Sequence, residues 1–210
     1  MLRVRTKICG ITNVADALCA VDAGADAIGL VFYEPSPRNV SIEEAQNICN
    51  ALPPFVTIVG LFVDKQRQEI ERICQAVPIN LLQFHGDESV EDCIGFTIPY
   101  IKAIKVRTNS DVEIAETEYI SAQAILVDTY KKGVAGGTGE LFDWSLLPKV
   151  HNKPLILAGG LTPKNIRKAI QAVQPYAVDV SGGVELKKSI KDHEKVSQFI
   201  KEVSRGCEDK

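Results

Sequence analysis

The chain has 210 residues, which is the usual length of a single domain and is long enough for a substantial hydrophobic core. Hydrophobic residues make up 45% and charged residues 24%, a composition typical of globular proteins and not of disordered or fibrous ones. The formal net charge is -3, and the interleaved basic and acidic residues exclude a general attraction for nucleic acid or an anionic membrane. We therefore predict one domain, residues 1–210, in which any anionic ligand is bound by local contacts.

Eight short apolar or β-branched runs follow one another along the chain, and each is a candidate strand. The runs are nearly continuous rather than alternating, which is typical of parallel strands that are covered on both faces. They are Val4–Ile8, Ala27–Val31, Thr57–Val63, Leu81–Phe84, Tyr100–Ile104, Ala124–Val127, Leu155–Leu157 and Ala177–Val180.

A stretch with helical spacing follows each candidate strand after a polar or glycine-containing junction. Helix starts are marked by Thr12-Asn13, by Ser41 with Glu44, and by Thr162-Pro163. Eight such units of roughly 25 residues predict a small α/β protein, a single (β/α)₈ TIM barrel with parallel strands. An open doubly wound sheet is the alternative.

The six cysteines are scattered without metal-ligand spacing, which indicates free thiols in a reducing compartment. The segment Met1–Arg5 is too short and too charged for a secretory signal, and no apolar run approaches the roughly 20 residues of a membrane span. We expect a cytoplasmic protein without nucleic-acid or membrane partners, either a monomer or a homodimer.

A glycine pair follows each of the last two candidate strands. In (β/α)₈ barrels these strand ends commonly bind a phosphate group through backbone N–H groups and a helix start. Glycine permits positive φ and a close approach of the anion, so two pairs at these places favour a phosphate site over two simple turns. Its predicted members are Gly159, Gly160, Asn165, Ser181, Gly182 and Gly183.

Cys9 and Asp128 come at the ends of the first and sixth candidate strands, where barrel active sites lie. From the residues alone, Cys9 is either a small apolar filler or a base, and Asp128 either braces a loop or acts as an acid. Lys7 shares a strand face with Cys9. It either supplies positive charge that favours a Cys9 thiolate or lines the core, paired to an acid elsewhere.

Seven motifs run in a fixed order over nearly the whole chain, and together they resemble the phosphoribosylanthranilate isomerase family of tryptophan biosynthesis. The ordered set is far more specific than any one motif. The motifs are Lys7-Ile8-Cys9-Gly10-Ile11-Thr12, Gly29-Leu30-Val31-Phe32 with Ser36-Pro37-Arg38, Val59-Gly60-Leu61-Phe62-Val63, Leu82-Gln83-Phe84-His85-Gly86-Asp87-Glu88, Gly136-Gly137-Thr138-Gly139 with Phe142-Asp143-Trp144, Leu157-Ala158-Gly159-Gly160-Leu161, and Asp179-Val180-Ser181.

The resemblance implies an Amadori rearrangement of a phosphorylated ribose derivative, with Asp128 as the general acid and Cys9 as the general base. One acid and one base suffice for this chemistry, so we expect neither a metal nor an organic cofactor. The resemblance also implies that Arg38 faces the anthranilate carboxylate, because a guanidinium fork suits that group. A solvated surface arginine is the alternative.

Gln83 and His85 at the end of the fourth candidate strand complete the predicted substrate-binding set with Arg38 and Lys7. A purely structural, hydrogen-bonding His85 is the alternative. Family members often have Ser-Ser-Gly-Val-Glu in the last loop, whereas this chain has Ser181-Gly182-Gly183-Val184-Glu185. One hydroxyl is absent, so we expect phosphate binding here to depend more on backbone N–H groups.

Two other functions remain open at this point. One is a different phosphate-binding barrel enzyme, such as a ribulose-phosphate epimerase or an indole-forming enzyme, although a His and Asp set for the epimerase's metal is absent. The other is a noncatalytic barrel that only binds a phosphorylated ligand. The pairing of Cys9 with Asp128 argues against it, because binding alone requires neither an acid nor a base.

Overall fold

The computed structural model describes residues 3–108, 110–128, 144, 147 and 151–208. Eight parallel strands pair in chain order and close into a barrel, as predicted. Each strand lies within one residue of its predicted bounds at either end. The strands are β1 Arg5–Cys9, β2 Ala27–Val31, β3 Thr57–Phe62, β4 Leu81–Phe84, β5 Tyr100–Lys105, β6 Ala124–Asp128, β7 Leu155–Ala158 and β8 Ala177–Val180.

Among the described residues a helix follows each barrel strand except β6, and most of the chain between β6 and residue 151 lies outside the described residues. The helix predicted there, and the Gly136–Gly139 motif with Phe142 and Asp143, fall in that part. The helices are α1 Val14–Asp22, α2 Ile42–Ala51, α3 Arg67–Ala76, α4 Val90–Cys93, α5 Asp111–Glu118, α6 Ile166–Val173 and α7 His193–Glu208. Between β8 and α7 lie a 3₁₀ turn and a small antiparallel hairpin, β9 Glu185–Lys187 with β10 Ile190–Lys191.

Local hydrogen bonds explain where the first two helices begin. The Asn13 side chain accepts a bond of 2.8 Å from the Asp16 N–H, and Ser41 forms a capping box with Glu44. Such caps typically stabilise a helix by about 1 kcal/mol. The third start signal, Thr162-Pro163, lies one turn ahead of α6, and the Thr162 carbonyl accepts the first bonds of that turn.

The barrel has an inner and an outer hydrophobic layer, which explains the continuous apolar strands. Val127 and Val178 point outward and pack with helix residues in one large core. Leu126 and Ile156 belong to a smaller cluster of strand residues that fills the barrel. Cys9, Val31 and Leu61 form a third cluster at the carboxyl ends of β1 to β3. The interior is therefore packed below the end where the predicted site residues lie.

Two further features concern the predicted surroundings of the protein. All six cysteines are free thiols, as predicted. Across the described parts of the chain, none of the helices combines the length and the apolar character that crossing a bilayer demands.

Candidate active site

Lys7 and Cys9 lie side by side on the inner face of β1. Lys7 is opposite Asp179 in the register of β1 with β8, and its Nζ lies 3.0 Å from Asp179 Oδ1. Lys7 Nζ and Cys9 Sγ both flank Gly29, at 3.0 and 2.7 Å from the place that a Cβ there would take. Lys7 therefore fits both alternatives: it places a positive charge beside Cys9, and it is a core-lining lysine paired to a buried acid.

Burial raises the pKa of the Cys9 thiol, and the nearby ammonium groups of Lys7 and Lys191 only partly oppose this. The Asp179 carboxylate adds to the rise, because its negative charge disfavours a thiolate beside it. Burial also lowers the pKa of Lys7, but the Asp179 carboxylate and Cys9 outweigh that effect and hold the pKa above its ordinary value. The expected positive charge is present and lowers the pKa of Cys9, but burial outweighs it in this state of the site.

Asp128 closes β6 and faces His85 from the end of β4. Asp128 Oδ2 lies 3.3 Å from His85 Nε2, and His85 Nδ1 lies 2.8 Å from Nε2 of the fully buried Gln83. Gln83 and His85 thus hold each other beside Asp128, as the structural alternative for His85 expects. Their contact with substrate stays a prediction.

Glu88 stabilises the loop that follows His85 through hydrogen bonds, a role that the sequence did not indicate. Its Oε1 accepts a bond of 2.9 Å from the Asp64 N–H, and its Oε2 accepts bonds from the Gly86 N–H at 2.9 Å and from Lys102 Nζ at 2.7 Å. The side chains of Glu88 and Lys102 are both buried. This pair therefore ties the loops after β3 and β4 to β5.

Arg38, in the loop after β2, forms a two-pronged ion pair with Glu185. Arg38 Nε and Nη2 donate to the two carboxylate oxygens of Glu185 at 2.6 and 2.7 Å. These bonds raise the pKa of the Arg38 guanidinium, which is only 25% exposed in its side chain. Arg38 is therefore not a freely solvated arginine, and one edge of its fork is already used.

The loop after β7 has the conformation that its glycine pair predicts. Gly159 and Gly160 have φ of 83° and 64°, values that favour glycine, and a Cβ on Gly160 would meet no atom within 4 Å. Asn165 Oδ1 accepts a bond of 2.8 Å from the Thr162 N–H, and its Nδ2 donates to the Gly160 carbonyl at 3.0 Å. Asn165 thus shapes the loop, and its direct contact with phosphate stays a prediction.

The loop after β8 begins with Ser181 and a 3₁₀ turn, Gly182–Val184, in place of the expected helix start. Ser181 Oγ is buried and has no hydrogen-bond partner among the described residues. An unsatisfied buried hydroxyl typically costs about 1–3 kcal/mol, so a ligand oxygen beside it would relieve this cost. A Cβ on Gly183 would lie 1.8 Å from the Leu161 carbonyl oxygen, so only glycine allows the two loops to meet.

The closed barrel places these groups on four neighbouring strands. In the order β6, β7, β8 and β1, the strand ends carry Asp128, the first glycine pair, the second glycine pair and Cys9. In the parts of the chain that are described, no three His, Cys, Asp or Glu side chains are grouped to hold a metal ion. The carboxylate, the thiol and the two glycine loops therefore lie at the same end of the barrel.

The chain is similar to known proteins over nearly its whole length. A model of the family described as N-(5'phosphoribosyl)anthranilate (PRA) isomerase matches residues 6–202. The chain is 59% identical over 203 residues to the N-(5'-phosphoribosyl)anthranilate isomerase of Pseudomonas fluorescens (strain Pf0-1), covering 97% of this chain and 100% of the relative.

Two solved structures share the fold and much of the sequence. One is a phosphoribosyl anthranilate isomerase in complex with reduced 1-(o-carboxyphenylamino)-1-deoxyribulose 5-phosphate. It is 42% identical with a TM-score of 0.81, and the match covers 95% of this chain and 98% of that one. The other comes from Thermotoga maritima and shows monomers generated from a dimeric phosphoribosylanthranilate isomerase. It is 41% identical with a TM-score of 0.80 and has the same coverage of 95% and 98%.

Proposed function

This chain belongs to the N-(5'-phosphoribosyl)anthranilate isomerase family, and we propose that Cys9 is the general base and Asp128 the general acid of its reaction. The family's isomerisation converts N-(5-phosphoribosyl)anthranilate to 1-(2-carboxyphenylamino)-1-deoxyribulose 5-phosphate in tryptophan biosynthesis. Family membership leaves the epimerase, indole-forming and noncatalytic alternatives without support.

Two proton transfers account for the chemistry. Asp128 donates a proton to the ribose ring oxygen, the C1–O bond breaks, and the anthranilate nitrogen forms a protonated Schiff base at C1. The Cys9 thiolate then removes the proton at C2 to give an enolamine. This intermediate gains a proton at C1 and loses the proton of its C2 hydroxyl, so the ketone product is an isomer of the substrate. An acid and a base are sufficient, and no step requires a cofactor.

The strand order carries this assignment. Asp128 and Cys9 end β6 and β1, and the two strands between them end in the glycine loops. A phosphate held over those loops would keep the sugar between the acid and the base. Substrate bound there would cover Asp128, now 24% exposed in its side chain, and would displace water from its carboxyl group.

The remaining predicted residues bind the two ends of the substrate in this proposal. The phosphate is bound by backbone N–H groups of the glycine loops and by the Ser181 hydroxyl, for which the described parts of the chain provide no partner. Arg38 binds the anthranilate carboxylate through N–H groups that Glu185 leaves unused. Lys7, Gln83 and His85 line the sugar between them.

The test replaces each group separately with an inert residue. We expect Cys9→Ser and Asp128→Asn to lower kcat by about 10²–10⁴-fold with little change in KM, the usual effect of removing a general base or acid. The assay follows the loss of anthranilate fluorescence with freshly prepared substrate. Cys74→Ser, at a thiol on α3, is the matched control. A folded Cys9 or Asp128 variant with near wild-type kcat would show that its assigned role is wrong.

We also propose that residues 1–210 form one catalytic domain that acts in the cytoplasm as a homodimer. Six free thiols fit a reducing compartment. The homodimer is supported by the dimeric relative from T. maritima and by Phe55, a fully exposed aromatic residue in the loop between α2 and β3. Loops that precede strands lie at the end of the barrel opposite the active site, so such a dimer would leave the site open.

A further inference from the structure

Arg38 is fixed in place before any carboxylate ligand meets it. The two bonds to Glu185 use the edge formed by Nε and Nη2, and Nη1 makes no hydrogen bond within the described residues. The aliphatic part of the side chain packs over Gly10, where a Cβ would lie 2.4 Å from Arg38 Cδ. The aliphatic part of Arg38 therefore packs against the residue that follows Cys9.

Glu185 is itself held by a buried lysine from the neighbouring strand of the hairpin. Lys191 is paired with Glu185 in the register of β9 with β10, and Lys191 Nζ lies 3.2 Å from Glu185 Oε1. The same Nζ donates to the Ser181 carbonyl at 3.2 Å. The Lys191 side chain is fully buried and that of Glu185 is 6% exposed. Arg38 is thus connected to the Ser181 loop through two buried charges.

With Arg38 and Lys191 as cations and Glu185 as an anion, this network has one excess positive charge, although burial lowers the pKa of Lys191 and Glu185 only partly opposes that. Burial raises the pKa of Glu185, but the bonds from Arg38 and the charge of Lys191 outweigh it and hold the pKa below its ordinary value. Glu185 is therefore an anion that cancels one of the two cations. Without Lys191, the Arg38–Glu185 pair would be neutral and would attract carboxylate or phosphate only weakly.

We propose that Glu185 and Lys191 are positioning residues for substrate binding. Glu185 orients Arg38 so that its unused N–H groups face the anthranilate carboxylate, and Lys191 holds both Glu185 and the Ser181 loop. One connected network then binds both anionic ends of the substrate. This inference rests on the proposed contact between Arg38 and the carboxylate.

The direction in which carboxylate binding changes when Glu185 is neutralised distinguishes a positioning role from a purely electrostatic one. If Glu185 acted only through its charge, its neutralisation would strengthen anion binding. If it positions Arg38, its neutralisation weakens carboxylate binding and spares phosphate binding. The measurement is steady-state kinetics of Glu185→Gln, with anthranilate and inorganic phosphate as competitive inhibitors.

For Glu185→Gln we expect KM and the anthranilate Ki to rise about tenfold, the usual order for losing a charge-assisted contact, while kcat stays within about twofold. The phosphate Ki does not rise. Lys191→Met should raise the Ki of both inhibitors, because it removes the excess positive charge and the contact with the Ser181 loop. Glu69→Gln, which breaks an exposed pair with Arg72 on α3, is the matched control and should change nothing.

A double-mutant cycle with Arg38→Ala completes the test. In the Arg38→Ala background, Glu185→Gln should have no further effect on the anthranilate Ki. Additive losses, or a folded Glu185→Gln protein that binds anthranilate as tightly as wild type, would overturn the inference. Glu185→Asp, which keeps the charge but shortens the side chain, should also raise the anthranilate Ki and serves if the Gln variant does not fold. A normal anthranilate Ki for Arg38→Ala alone would instead refute the Arg38 contact itself.

Discussion

The thiol of Cys9 shows how one residue depends on groups that are distant in sequence. A base must lose its proton, yet burial raises the pKa of Cys9 and the Lys7 ammonium opposes that rise. At neutral pH most of the thiol is therefore protonated. Activity that depends on the thiolate should rise as the pH increases toward the pKa of Cys9.

Lys7→Met removes the ammonium group that opposes the rise in the pKa of Cys9 more strongly than Lys191 does. The pKa of Cys9 should increase further, so the ascending limb of the kcat/KM profile should move to higher pH. The pH dependence of the rate at which iodoacetamide alkylates Cys9, measured by mass spectrometry, should also move to higher pH. Asp179 is left buried without its partner, so the free energy of unfolding should also fall by about 3–5 kcal/mol.

Lys201→Met, at an exposed position of α7, is the control for this prediction and should leave both profiles unchanged. An unmoved ascending limb in Lys7→Met would mean that Lys7 does not act on the thiol.

The sequence identified the candidate reactive groups but not the side chains that hold them. Cys9, Asp128 and the glycine pairs are recognisable because each follows an apolar strand or belongs to a local motif. The partner of Lys7 is 172 residues away, and that of Arg38 is 147 residues away. These pairings depend on barrel closure and on the β9–β10 register, which no local pattern encodes.

At the scale of elements, the strands were predictable because both of their faces are buried, and the starts of α1 and α2 because their caps are local. The 3₁₀ turn Gly182–Val184 and the hairpin after it were not, since elements of two or three residues have no periodicity. The helix expected after the second glycine pair is present as α7, but it begins only at His193, after the turn and the hairpin.

Substitution should affect the free energy of unfolding very differently at the two glycines of the 3₁₀ turn, Gly182 and Gly183. Gly182 has no positive φ, and a Cβ there would lie 3.5 Å from Arg38 Nη2, which is ordinary contact. Gly182→Ser should therefore change the free energy of unfolding by no more than about 0.5 kcal/mol. It restores a hydroxyl at the predicted phosphate site, so the Ki of inorganic phosphate should fall by up to about tenfold.

Gly183→Ala is the matched comparison and should be strongly destabilising, because its Cβ would overlap the Leu161 carbonyl. Urea unfolding and inhibition by inorganic phosphate measure both variants. Equal stability of the two proteins would contradict the close approach of the loops, and an unchanged phosphate Ki for Gly182→Ser would place the anion elsewhere.

At the scale of the whole molecule, the barrel separates its two ends. The carboxyl ends of the strands carry Asp128, the two glycine loops and Cys9, whereas the loops that lead into the strands lie at the opposite end. Phe55 lies at this opposite end. It is fully exposed and has a φ of 71°, which a non-glycine residue with a bulky side chain rarely adopts.

An aromatic side chain held in this way is a strong candidate for the centre of a subunit contact, because buried aromatic anchors contribute much of the binding energy of interfaces. Phe55→Glu would place a charge in that contact and should weaken dimerisation by about 2 kcal/mol or more. We expect light scattering to show a dimer for the wild type and a monomer for Phe55→Glu at micromolar concentration, with kcat per chain retained. Ile114→Glu, at an exposed apolar position of α5, is the control and should remain dimeric. A monomeric wild type, or a Phe55→Glu protein as dimeric as wild type, would contradict the proposed interface.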